Sequence, residues 1–126
     1  MDQDLPSTQN LIEEKLQEIS KEGRFDLLVL FSEEGLPMIQ IPSSKYDKDN
    51  FIALSILLND LAKVAETLDS SLKVVETSIT TYHKTKIVGR IFYVNGIRLN
   101  LVAIVPPEVA YRKFFNKAVK ALSAIL

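Results

Sequence analysis

The stretch from Asn50 to Leu68 reads NFIALSILLNDLAKVAETL, and its apolar residues recur at spacings of three and four. Phe51, Leu54, Leu58, Leu61, Ala65 and Leu68 form one helical stripe, widened by Ala53, Leu57 and Val64. At about 100° per residue, Ile52 and Ile56 project toward Asn59, Lys63, Glu66 and Thr67, away from that stripe. A helix with this much apolar surface exceeds what one sheet can cover. Two isoleucines left in water forgo about 1.5–3 kcal/mol each relative to burial. The chain therefore reads as half of an assembly.

On the N-terminal side, Asn10 followed by Glu13 resembles a capping box, Ile12, Leu16 and Ile19 mark one helical face, and Gly23 is a natural C-cap. Phe25 to Phe31 is apolar on both alternating faces, the mark of a strand covered from two sides. Ser32-Glu33-Glu34-Gly35 is a turn, and Leu36 to Ile41 a second strand. Pro37 has no N–H to donate, which places that strand at a sheet edge. Polar residues Pro42 to Asp49 lead to the long helix, with Asp47 or Asp49 as its cap.

On the C-terminal side, Leu72 to Tyr82 is β-branched but polar, with Val75, Thr77, Ile79 and Thr81 sharing one face. His83-Lys84-Thr85 turns into a strand from Lys86 to Val94. Asn95-Gly96 then separates it from Ile97–Val105, a strong hairpin signal. Pro106-Pro107 stops this strand, and Pro107 with Glu108 opens a last helix. That helix turns Tyr111, Phe114, Phe115, Ala118, Leu122 and Ile125 to one side and Arg112, Lys113, Lys117 and Lys120 to the other. The order is α-β-β-α-β-β-β-α in one α+β domain spanning 11–126, after a flexible N-terminus at 1–10.

Composition narrows the function classes. A net charge of −1 gives no footprint for nucleic acid or an anionic membrane. With no cysteine there is no disulfide, thiolate metal site or cysteine nucleophile. Met1 to Pro6 lacks the basic and apolar regions of a signal peptide, and no apolar run reaches membrane-spanning length. A cytoplasmic domain without membrane insertion is expected. Four glycines provide no phosphate-cradling motif, so nucleotide hydrolysis is not expected. The single histidine, His83, reads as a turn residue, and the acidic pairs sit at helix ends and turns. No catalytic residue, cofactor or metal site is expected. Arg24, Arg90, Arg98 and Arg112, like the basic stripe of the last helix, read as solvated charge.

The order of elements resembles the roadblock/dynein light chain domain, including bacterial MglB-type regulators of Ras-like GTPases. Phe25–Phe31, the turn into Glu34-Gly35-Leu36-Pro37-Met38, the helix Phe51–Leu68, the Asn95-Gly96 hairpin and Asn100–Val105 carry the resemblance. It implies a five-stranded antiparallel sheet with the long middle helix on one face and the terminal helices on the other. It also implies dimers formed through third strands and long helices, with Lys73–Tyr82 as the dimer edge. The residues agree independently, because this segment holds no Pro or Gly and only Lys73 and Glu76 carry charge; bare edges of that kind aggregate unless covered. The final helix closes at Leu126, so a function seated in a longer tail is not expected.

The interface is accordingly expected at Ile52, Ile56, Asn59, Lys63, Val75, Thr77, Ile79 and Thr81, with proline at Thr77 breaking the dimer by removing a donor. The function implied is a non-enzymatic homodimer that regulates or scaffolds a Ras-like small GTPase. Two alternatives are a small-molecule-sensing PAS or profilin-like domain and a longin-like trafficking adaptor. Large aliphatics filling the strands oppose the first, and the amphipathic segment Leu11–Ser20 opposes the second.

Overall fold

The computed structural model describes residues 7–42 and 45–126. Among them run α1 (Thr8–Gly23), β1 (Leu27–Phe31), β2 (Pro37–Ile41), α2 (Lys48–Glu66), β3 (Glu76–Thr80), β4 (Lys86–Val94), β5 (Ile97–Val105) and α3 (Tyr111–Ile125). The strands form one sheet in the order β2-β1-β5-β4-β3, every neighbouring pair antiparallel. The expected α-β-β-α-β-β-β-α order and five-stranded antiparallel sheet are therefore present.

Cross-strand registers explain the two-sided burial of β1. Leu28, Leu30, Val88, Leu101 and Ala103 point to one side, into a core with Ile12, Leu16 and Ile19 of α1 and Phe115, Ala118 and Leu122 of α3. Leu27, Val29, Phe31, Val102 and Ile104 point to the other, where Phe51 and half-buried Ile52 of α2 meet them. The α2 core is much the smaller of the two. The hairpin at Asn95-Gly96 has positive φ at both residues, 53° and 79°, the requirement of a type I′ turn.

Several boundaries differ from the sequence reading. Helix α1 starts at Thr8 because Ser7, not Asn10, is its cap, the Ser7 hydroxyl accepting from the Asn10 N–H. Of the residues expected to be flexible, 8–10 are thus helical and 1–6 lie outside the described residues. At the other end Arg24 (φ 54°), not Gly23, takes the left-handed position, with Arg24 N–H bonded to Lys21 and Phe25 N–H to Ser20. Gly23 serves a different need. A Cβ there would lie 3.0 Å from the Phe25 ring and 3.2 Å from Phe114. Helix α3 begins at Tyr111, because Pro106 to Val109 forms a separate turn closed by a bond from Val109 N–H to the Pro106 carbonyl.

The largest correction concerns α2. Its buried side is Phe51, Ser55, Leu58, Asn59 and Ala62, whereas Leu57, Leu61, Val64 and Leu68 of the expected core stripe stand exposed. The sheet beneath explains the choice. Thr77, Gly89 and Asn100 line that face, and a Cβ on Gly89 would meet Thr77 Oγ1 at 2.9 Å and Asn100 Oδ1 at 3.2 Å. Of the helix residues buried on this side, Ser55, Asn59 and Ala62 are small or polar, and Leu58 is the one leucine among them.

Candidate interaction surface

Strand β3 is an edge, and its hydrogen-bonding parity follows from its neighbours. Ile91 N–H donates to the Val75 carbonyl and Thr81 N–H to the Thr85 carbonyl, each at 2.9 Å. In an antiparallel pair alternate residues turn both backbone groups to the same neighbour. With Thr77 opposite Gly89 and Ile79 opposite Ile87, the odd-numbered residues from Val75 to Thr81 face β4. Glu76, Ser78 and Thr80 direct their N–H and C=O groups away from the sheet. Proline at Thr77 would therefore break the β3–β4 ladder, contrary to the expectation that it removes an outward donor.

Beside this edge lies the outer flank of α2. Leu57, Leu61 and Val64 are 64%, 60% and 62% exposed, and Leu68 is 81% exposed. On β3 itself Val75 is 62% and Ile79 38% exposed. Leaving the five that are more than half exposed in water forgoes up to about 1.5–3 kcal/mol each. Their continuity beside an unpaired strand distinguishes them from scattered surface apolars.

The eight expected interface residues do not form one surface. Val75, Ile79 and exposed Thr81 lie along the β3 edge, whereas Thr77 is only 8% exposed and faces inward. Ile52 is half-buried, Asn59 is 7% exposed, and Lys63 is exposed. Ile56, 40% exposed, lies on the opposite flank from Leu61, near the β1–β2 turn: a Cβ on Gly35 would be 3.8 Å from its Cγ1. The sequence reading overlooked Leu57, Leu61, Val64 and Leu68 as surface residues. The polar character of Thr77, Gly89 and Asn100, all quoted as strand, was the available signal that α2 would turn Ser55 and Asn59 inward.

Two polar anchors hold β3. At its start, Glu66 on α2 accepts Val74 N–H at 2.9 Å and Arg98 Nη1 at 3.1 Å. The Val74 bond first, then Arg98, holds the Glu66 carboxyl below the ordinary glutamate range. Arg98 is thus buried and paired, not solvated as expected. On the other face Glu76 receives Arg90 Nη2 at 3.4 Å, Arg112 Nη2 at 3.0 Å and Tyr111 OH at 3.1 Å. Burial and this carboxylate together raise the Tyr111 phenol above its usual value. Of the basic stripe, Arg112 reaches Glu76 and Lys117 reaches Glu22 at 2.7 Å, both exposed ion pairs of small energetic weight.

An apolar cleft of about 410 Å³ opens between the first turns of α2 and the far end of β3, lined by Tyr46, Phe51, Leu54, Thr81, His83 and Ile87 among others. His83 is exposed, with its ring edge-on to Tyr82. Among the described residues no group of three or more histidines, cysteines or acids could hold a metal ion, and no helix is long and apolar enough to cross a membrane.

Comparison with solved structures places this α+β architecture among roadblock-type domains. The gliding protein MglB from Thermus thermophilus superposes with a TM-score of 0.75 at 16% identity, covering 95% of this chain and 91% of that one. An MglB with a tetrameric arrangement gives 0.76 at 15% identity, covering 95% and 90%. The Roadblock/LC7 domain from Streptomyces avermitilis gives 0.67 at 12% identity, covering 90% and 92%. The chain has the roadblock/MglB fold. No protein-family model and no curated protein matches it.

Proposed function

We propose that the chain is a non-enzymatic, self-associating interaction module that binds a Ras-like small GTPase and regulates or scaffolds it. The observation that carries the reading is the bare β3 edge lying beside the exposed flank Leu57, Leu61, Val64 and Leu68. The likeness to MglB structures, one of them in a tetrameric arrangement, supports it. Self-association uses the β3 edge and that flank. The GTPase occupies the other flank, where Ile56 and Lys63 stand beside the β1–β2 turn and exposed Leu36.

Two variants separate these roles. Leu61→Asp should give monomers in sedimentation with an unchanged circular dichroism spectrum, because Leu61 is already 60% exposed in the single chain. In a two-fold interface the loss counts twice, so dissociation constants should rise at least about a hundredfold. Ile56→Glu should keep the dimer and weaken capture of a GTP-loaded Ras-like GTPase from native cytosol, identified by mass spectrometry. A Leu61→Asp protein with undiminished dimer mass refutes the self-association surface; Ile56→Glu with undiminished capture refutes the partner flank.

A further inference from the structure

The cleft beside the first turns of α2 shares only Thr81 with the surfaces proposed above, and its lining sorts by chemistry. Phe51 and Leu54 of α2, Ile87 of β4 and Ile104 of β5 make an apolar floor, with Phe51 and Ile104 fully buried and the other two half-buried. Exposed polar groups surround that floor. Asp47 and Asn50 come from the start of α2, and Thr81 and His83 from the turn between β3 and β4. This turn is braced. Thr81 N–H donates to the Thr85 carbonyl and Lys84 N–H to the Thr81 carbonyl, each at 2.9 Å, and Lys84 takes a positive φ of 74°. The His83 ring is held edge-on to Tyr82 at 5.1 Å between centroids. A volume of about 410 Å³ falls within the range of small-molecule sites, roughly 300–1,000 Å³. An apolar floor with polar groups around it suits an amphipathic molecule.

Charge selects the head group. Asp47 is the one charged residue lining the cleft, and no lysine or arginine lines it. Its Oδ1 accepts the Asp49 N–H at 3.1 Å, which leaves Oδ2 available as an acceptor. Tyr46, Phe51 and His83 contribute aromatic rings, and ring faces of tyrosine and phenylalanine attract cations. The Lys45 ammonium already stands 5.4 Å from the Tyr46 ring centroid. We propose that this cleft binds a small aromatic amine, its ring seated on Phe51, Leu54, Ile87 and Ile104 and its ammonium at Asp47. Large aliphatics fill the strands themselves, so the site lies beside the sheet and not within it. A molecule bound there ties the first turn of α2 to the β3–β4 turn. The site depends on neither the GTPase nor the self-association reading.

The chain has no tryptophan, so indole emission reports the ligand alone. Tryptamine, tryptophol and indoleacetate carry one ring system with a cationic, a neutral and an anionic head. Titration with the chain should give a saturable emission change for tryptamine, about tenfold tighter than for indoleacetate, with tryptophol between. Tryptamine should shift the amide NMR signals of Asn50, Leu54, Thr81, His83 and Thr85. Asp47→Asn keeps a good helix cap and the apolar floor, so all three molecules should still bind but with their order erased. Any other order in the parent, or the same order in Asp47→Asn, overturns the amine. Absence of saturable tryptamine binding, or shifts gathered at Leu57, Leu61 and Val64, overturns the site. Either failure leaves the joining edge and the partner flank standing, because those are read by dimer mass and by GTPase capture.

Discussion

The two edges of this sheet receive opposite treatment. Strand β2 carries Pro37 and a register shift between Leu30 and Phe31, and its Ile39 and Ile41 tuck into the core that α1 covers. Each device spoils it as a template for another strand. Strand β3 has neither proline nor irregular register, and its one charge, Glu76, is tied to Arg90, Arg112 and Tyr111 on the α3 side. The flank of α2 beside β3 is apolar as well. An edge left clean next to an exposed apolar helix flank is the difference on which the proposed self-association rests.

The largest effect should come from proline at the outward position. Ser78→Pro removes a donor that points away from β4 and leaves the β3–β4 ladder its bonds at Thr77 and Ile79. Sedimentation should then show a monomer that keeps the cooperative thermal transition of the parent. Thr77→Pro is the control with the other parity: it removes a ladder bond, and the acceptor left unpaired, at a cost of about 1–3 kcal/mol, should appear as lost stability. If both prolines act alike, the parity assigned to β3 is wrong.

How much of this contrast could be read from sequence alone depends on which physical signal each residue sends. Pro37 announces its edge directly, since a missing N–H is a property of the residue. The other edge came from the family resemblance, at Lys73–Tyr82, with the lack of proline and glycine in agreement, although only Glu76–Thr80 is ladder. Which of its residues face outward was not legible, because that depends on the register with β4 and both parities look alike in the chain. The buried side of α2 was not legible for a related reason. A helix apolar nearly all round has no unique stripe, and the side that wins is chosen by Gly89, Thr77 and Asn100, distant in sequence. Arg98 was misread for want of its partner, Glu66, thirty-two residues away.

A smaller effect tests the polar floor behind the β3 edge. Among the described residues the Thr77 hydroxyl is buried with no hydrogen-bond partner, and an orphan of this kind costs about 1–3 kcal/mol. Thr77→Val keeps the shape and removes the orphan, so denaturant unfolding should show a gain of about 1 kcal/mol. The dimer should persist, because neither the backbone nor the outer flank changes. A loss of stability would mean that the hydroxyl has a partner and that the floor under α2 is fully satisfied.

The smallest effect concerns how β3 is launched. Glu66 ties α2 to the Val74 N–H just before the strand, and its carboxyl is held below the ordinary glutamate range by that bond and by Arg98. A depressed folded value contributes stability that is present above the unfolded value, about 4.3 for glutamate, and is lost as pH falls through the folded one. Glu34 and Asp69 are lowered too, through local hydrogen bonds of their own, so acid destabilisation of the parent is a shared effect. The difference between parent and Glu66→Gln isolates one group. At neutral pH the variant should melt lower, because glutamine loses the ionic bond to Arg98, and the gap should narrow as pH drops below about 4.3. Amide exchange at Val74 should quicken over the same window. Melting curves that stay parallel from neutral to acid pH would show that β3 is held by its ladder alone and that Glu66 is a bystander at the joining edge.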